Sequence, residues 1–302
     1  MKLFKQPWFI ILVLVASIYS YQYYKSPKKF SISSNTASAT TNTDEDALPQ
    51  AVSVKTSSSF TTSQFNSFEL ATYRNMKIKF SKSDSEKFIV SLIGEGTDFK
   101  NDGKELTDWF KVSIKRKTLQ ILSPKKNKLK GFSSMKELAK TFNRKNDDTQ
   151  LTMIIEVPET FKFKKLNIKS VSSDVYGSGL NFDEFEMANV SGDISLAKST
   201  GKKVKIESVS GDSEIEVGDL ESAQFSFVSG DATLTATNTT PKVKFESVSG
   251  DLDLKLPSDG KIKVNFESMS GDLINDFGLA KDNATAVEFS SLSGDASIKK
   301  NK

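Results

Sequence analysis

Seven aspartates recur along the second half of this 302-residue chain: Asp174, Asp193, Asp212, Asp231, Asp251, Asp272 and Asp295, spaced by 19, 19, 19, 20, 21 and 23 residues. Six close a Ser-Gly-Asp tripeptide, and Asp174 follows Ser172-Ser173. Such a column has two chemical readings. Asp193, Asp212, Asp231, Asp251 and Asp272 could hold divalent cations, Ca²⁺ above all, through oxygen ligands. Alternatively the column is structural, with Ser hydroxyls, backbone N–H groups and nearby Lys relieving a repulsion of about 1 kcal/mol between neighbouring carboxylates in water. The structural reading is favoured, because the Gly-Gly-x-Gly-x-Asp spacing of calcium solenoids is absent.

Other chemistry is scarce. With His 0 and Cys 0, the chain has no imidazole or thiolate metal ligands, no thiol nucleophile, no Ser-His-Asp triad and no disulfide. Asp183, Glu184 and Glu186 are adjacent carboxylates, but so are many solvated turn residues, and the repeats contain no Arg to complete a catalytic groove. Gly94-Glu95-Gly96 has no following Lys-Ser/Thr and reads as a turn, not a phosphate loop. The expectation is a protein with no catalytic residues and no cofactor. Lys+Arg 42 against Asp+Glu 38 leaves a net charge of +4, too balanced for a nucleic-acid footprint.

The elements that position the aspartates follow from alignment on them. Six residues before each Asp stand Ile168, Met187, Ile206, Phe225, Phe245, Phe266 and Phe289. Three before stand Val171, Val190, Val209, Val228, Val248, Met269 and Leu292. Positions eight before and three after are also mostly apolar. Each half alternates as a half-buried strand does, and the parity flips between the two halves. One strand therefore ends and another begins, with Glu-Ser pairs such as Glu207-Ser208 at the corner. Extending this parity sends the Val column, including Val190, Val209, Val228 and Val248, into the core. It sends Gly192, Gly211, Gly230, Gly250, Gly271 and Gly294 inward too, where a side chain would strike the opposite wall. The predicted fold is all-β, a single-stranded right-handed parallel β-solenoid (β-helix) with coils of about 19–20 residues over 166–302. Consecutive coils should stack at about 4.8 Å. The final Lys299-Lys300-Asn301-Lys302 would blunt its last edge strand.

Residues 68–165 carry strand patterns at Met76–Phe80, Lys87–Ile93, Phe110–Ile114, Thr118–Leu122 and Thr152–Val157, read as degenerate coils or a cap. Ser134-Met135-Lys136-Glu137 opens a short amphipathic helix to about Asn143. Residues 30–67, rich in Ser and Thr, read as a disordered linker. Within 1–29, lysines flank an apolar run from Trp8 to Tyr24, at the short limit for a membrane helix. Trp8 and the tyrosines at the far end suit two interfacial belts, so a retained signal-anchor is favoured over a cleaved signal peptide.

The Ser-Gly-Asp columns, with Ile155-Glu156-Val157-Pro158 leading into Leu166-Asn167-Ile168, resemble the bacterial putative-adhesin β-solenoid family over roughly Glu69 to Lys302. That family is a domain of unknown function often found on membrane-anchored proteins, and the resemblance brings no catalytic residues. It implies an adhesin-like binding or scaffold module, tethered to a membrane by the N-terminal helix and facing the cell envelope, or secreted if that helix is cleaved. The expected partners are a cell-surface glycan, wall polymer or envelope protein. The alternative is an envelope-stress sensor partnering a membrane signalling protein. Oligomeric state is left open, since solenoid ends can stack.

Overall fold

The computed structural model describes residues 52–96, 105–123, 150–258, 261–277 and 285–301. The expected membrane segment, the first part of the linker and the Ser134–Asn143 helix lie outside these residues. Among the described residues no helix is long and apolar enough to cross a membrane.

Alternating apolar and polar residues, with little helix former between turns, produce strands almost throughout. In chain order they are β1 (Val52–Thr61), β2 (Ser67–Thr72), β3 (Met76–Ser83), β4 (Lys87–Gly96), β5 (Lys111–Lys115), β6 (Thr118–Leu122), β7 (Gln150–Pro158), β8 (Phe163–Ser170), β9 (Ser173–Ser178) and β10 (Asn181–Asn189). The second half holds β11 (Ile194–Ser210), β12 (Ser213–Gly218), β13 (Ser222–Ser229), β14 (Ala232–Ala236), β15 (Lys242–Glu246), β16 (Leu252–Leu256), β17 (Ile262–Ser270), β18 (Leu273–Asn275), β19 (Thr285–Ser293) and β20 (Ala296–Lys300).

Each coil contributes one strand to each of two parallel ladders. The first runs β6-β2-β8-β10-β11-β13-β15-β19-β17. The second runs β7-β3-β9-β11-β12-β14-β16-β20-β18. Strand β11 serves both, bending where its register shifts between Leu196 and Ser199 and where Lys198 takes φ 49. At the N-terminal end the pairing turns antiparallel: β5 on β6, β4 on β7 and β1 on β4. The result is an all-β, solenoid-like stack.

Four sequence expectations need correction. The coils do not stack in chain order. The last coil, β19/β20, lies between β15/β16 and β17/β18, and at the other end β2/β3 lies between β6/β7 and β8/β9. In-register parallel pairing tolerates this, because every rung presents the same columns to its neighbours. Strand β20, which carries Lys299 and Lys300, is consequently not the last strand of its ladder; among the described residues the two ladders end on this side in β17 and β18.

The linker is also shorter than expected. Val52–Thr61 is strand β1, because β4 supplies backbone partners along its whole length. Ser and Thr side chains suit that pairing, as Ser91 Oγ donates to Ser57 Oγ at 3.1 Å.

The Val column does not line the main core. Ile168, Met187, Ile206, Phe225, Phe245 and Phe289 are all buried there, but Val190 packs with Val171, Val209 and Tyr73 in a separate strip. Val209 and Val248 are half-buried, and Met269 is 70% exposed. The inward parity runs two residues further than read, so the polar position four before each Asp faces in: Ser170, Asn189, Ser208, Ser247 and Ser291 are buried. Three of these side chains bond within the corner, whereas Ser170 Oγ and Ser247 Oγ have no hydrogen-bond partner among the described residues. Ser208 Oγ donates to the Ser210 carbonyl at 3.0 Å, Ser291 Oγ to Ser293 O at 3.0 Å and Asn189 Nδ2 to Gly192 O at 2.9 Å. In one coil Phe227 takes this place at 1% exposure, its ring 5.9 Å from that of Phe245.

The glycines are pinched along the stack, not across it. Gly211 sits at φ 116 and Gly230 at φ 138, and a Cβ on either would run into the backbone carbonyl of the glycine one rung below. The opposite wall is not involved.

These corrections set a ranking. Phe245→Ala should cost about 3–5 kcal/mol as a large-to-small core change, and Val248→Ala about 1 kcal/mol or less. Gly230→Ala should destabilise well beyond Val248→Ala. Urea denaturation of the three variants checks the order, and equal costs for Phe245→Ala and Val248→Ala would refute the assignment of columns.

Candidate functional site: the Ser-Gly-Asp ladder

The sharp turn between the two strands of a coil places Ser and Asp on the outside and a glycine between them, at positive φ in Gly192, Gly211, Gly230, Gly250 and Gly294. Each Asp then binds its neighbour below. The Asp193 N–H donates to Asp174 Oδ1 at 3.1 Å, Asp212 to Asp193 at 3.0 Å, Asp231 to Asp212 at 2.9 Å and Asp251 to Asp231 at 2.8 Å. The line continues from Asp295 to Asp251 at 2.7 Å and from Asp272 to Asp295 at 2.7 Å, following the stacking order and not the chain order. The Asp carbonyls tie the same rungs in the reverse donor direction: Asp212 O accepts from Ile194 N–H and Asp231 O from Ser213 N–H, both at 2.9 Å.

The aspartates expected to form a ladder are therefore brought together, and an amide N–H stands at one oxygen of each carboxylate from Asp174 to Asp295. That donor offsets the repulsion between stacked carboxylates. Ser hydroxyls and Lys, the other relief expected from sequence, make no hydrogen bond or ion pair to this column among the described residues. No group of three or more His, Cys, Asp or Glu side chains able to hold a metal occurs among the described residues.

A second ladder was missed in the sequence. Asp219, at φ 57, and Asn238 form a reciprocal pair: Asp219 N–H donates to Asn238 Oδ1 and Asn238 Nδ2 to Asp219 Oδ1, both at 2.6 Å. Their separation of 19 residues, one repeat, was the available signal.

The carboxylates singled out at Asp183, Glu184 and Glu186 lie on the outer face of β10 and its approach, against lysines of the β8 rung. Lys162 Nζ reaches Asp183 at 2.7 Å, and Lys165 Nζ reaches Glu186 at 2.7 Å and Glu184 at 3.4 Å. The hydrogen bond from Lys162 holds the Asp183 carboxyl below its usual range, with the charges of Lys162, Lys202 and Lys164 adding to it. Partial burial of Lys165 works against its charge, yet Glu186 and Glu184 raise its pKa overall. Both groups are fixed in their charged forms at neutral pH, an arrangement that suits ion pairing between rungs. Between the next rungs Lys202 reaches Glu221 at 3.4 Å, and within single strands Lys205 pairs with Glu207 and Lys244 with Glu246, each at 2.7 Å.

Asp231→Ala removes an acceptor and should cost about 1 kcal/mol, whereas Asp231→Asn keeps an acceptor, loses a charge and should remain near wild type. Millimolar Ca²⁺ should leave the thermal midpoint unchanged; a marked rise that Asp231→Asn abolishes would establish cation bridging instead. Because the folded Asp183 pKa is lowered, the contribution of its ion pair is present at neutral pH and lost as pH falls through that value. Lys162→Ala should return the carboxyl to the ordinary Asp range in an NMR titration.

A family model described as Toastrack DUF4097 matches residues 61–299. A solved structure named "putative cell adhesion protein", from Clostridium sporogenes, is 14% identical, covers 82% of this chain and 100% of its own, and has a TM-score of 0.41. A "putative lipid binding protein" from Parabacteroides distasonis is 14% identical over 82% of this chain and 97% of its own, with a TM-score of 0.37. A "putative adhesin" from Bacteroides fragilis is 17% identical over 83% and 97%, with a TM-score of 0.36. Likenesses at this level carry no argument about activity. No curated protein matches the chain. The family match spans most of the chain and covers strands of both ladders, and on that ground the chain belongs to the Toastrack DUF4097 family.

Proposed function

We propose that the protein is an adhesin-like binding or scaffold module of the cell envelope, tethered to the membrane by its N-terminal apolar segment and held outside the cytoplasm. The observation that carries this reading is the outer surface of the stack. It carries one aspartate at the corner of each successive rung from Asp174 to Asp272, and Lys–Glu pairs on several strands of one ladder. Such a surface suits a long, repetitive polymer, because the aspartate line presents the same group again about 4.8 Å further along. The flanked apolar run from Trp8 to Tyr24 supports the tether.

The soluble fragment for a binding test must start near residue 50, since β1 belongs to the stack. Residues 50–302 should be retained saturably on purified envelope polymer or surface glycan, and Lys205→Glu with Lys244→Glu should weaken retention several-fold. Absence of saturable retention on any envelope fraction would refute the binding reading, and release of a product from the polymer would replace it with catalysis. Retention on a single membrane signalling protein alone would favour the sensing role.

A further inference from the structure

Strands β17 and β18 end the two ladders: among the described residues β17 pairs only with β19 and β18 only with β20. This end is apolar for an edge. Met269 is 70% exposed, Ile274 58% and Leu273 37%, and Val264 and Phe266 are only partly buried. The Phe266 ring stacks on Phe289 at 4.9 Å, continuing the Phe245–Phe289 stack at 5.1 Å, and its other face has no ring partner among the described residues.

The charges on β17 differ from those of β11 and β15, where a Lys and a Glu stand two residues apart and pair within the strand, as Lys205–Glu207 and Lys244–Glu246; the interior strands β8, β10, β13 and β19 carry no such pair. In β17 the Lys position is taken by Asn265, and the nearest charges are Lys263 and Glu267, one on each side of it. Four residues along a strand span about 13 Å, too far for an ion pair. Both side chains are exposed, and neither has an ion-pair partner among the described residues.

We propose that β17 is a homodimer interface, pairing antiparallel with β17 of a second copy about a two-fold axis at Asn265. In that register Lys263 of each copy faces Glu267 of the other, and Val264 faces Phe266. The hydrogen-bonding parity agrees. The Lys261 carbonyl accepts from Thr285 N–H of the β19 approach, so by alternation 263, 265 and 267 turn their backbone groups toward β19, and Val264 and Phe266 turn theirs outward. The outward residues supply the inter-copy hydrogen bonds. The Lys263–Glu267 and Asn265–Asn265 pairs then occupy the non-hydrogen-bonded sites, where side chains come closest, at about 4.5 Å between Cα atoms. Lone charges ordinarily protect an edge against pairing. Here their signs favour one isologous register, whereas a parallel pairing in register would set Lys on Lys and Glu on Glu. The same axis sets Met269 of each copy opposite Lys261 of the other, so the two copies' Met269 side chains lie at opposite ends of the pairing, about 26 Å apart along the strand.

The absence of cysteine makes the test direct. In the full-length chain in detergent, Asn265→Cys should form a disulfide-linked dimer under mild oxidation, since its Cα spacing lies in the disulfide range. Lys244→Cys, at the equivalent position of the interior strand β15, should not. In the Asn265→Cys background, Lys263→Glu or Glu267→Lys should each lower the dimer yield about tenfold, through two like-charge pairs. Mixing the two charge variants should restore a heterodimer. Circular dichroism of each variant confirms that the fold persists. If Asn265→Cys cross-links no more than Lys244→Cys, or if the charge variants fail to complement each other, the interface is overturned.

Discussion

Parallel, in-register stacking imposes one rule on this molecule: every residue lies directly over its own equivalent in the next rung, about 4.8 Å away. For apolar columns the rule is favourable, since rings stack on rings, as Phe245 does on Phe289 with planes 7° apart. For the aspartate column it is costly, and the structure answers with a donor for six of the seven carboxylates, all but that of Asp272 at the end of the line: the N–H of the next Asp. For the tight corner it requires glycine, because only a bare Cα can lie against the carbonyl of the rung below. The Ser-Gly-Asp tripeptide is thus one solution to one geometric demand. Ser stays in solvent, Gly allows the approach, and Asp returns a hydrogen bond from each rung to the next.

Much of this was legible because periodicity carries it. The apolar columns six and eight residues before each Asp, and that three after, line the core as alternation predicts, and the five upstream strand patterns each coincide with a strand. The Val column misled because Val is a better core residue than Ser on any transfer scale, so a flip of parity looked natural. Hydrogen bonding overrides transfer preference here: a buried Ser208 that donates to the Ser210 carbonyl is satisfied, and the valine beside it only needs a shallow strip. Phe227, standing where other coils have Ser, was the residue that betrayed the true facing.

Stacking order was written in the spacings. They stay at 19 or 20 up to Asp251, then lengthen to 21 and 23, where the chain passes over one rung position and comes back to fill it. The step over a rung, Asp251 to Asp272, covers about 9.6 Å along the axis with 21 residues, and the return by one rung to Asp295 takes 23. Read as loop drift, the lengthening carried no topological meaning. Strand β1 was hidden for a different reason: a Ser- and Thr-rich segment has no core-forming pattern of its own, and it becomes a strand because β4 presents an edge to it.

The intercalated last coil also bears on how the chain reaches its native state. During synthesis β17 and β18 appear before β19 and β20, and the edge they meet at that moment is β15/β16, whose columns match theirs as well as the final neighbours' do. A nascent chain that docks them there occupies the wrong berth, and admitting β19 and β20 then requires that docking to be undone. Completion therefore waits on these two strands. Shortening the chain by that coil would leave a molecule that closes early, one rung short, with β17 and β18 resting where their successors belong.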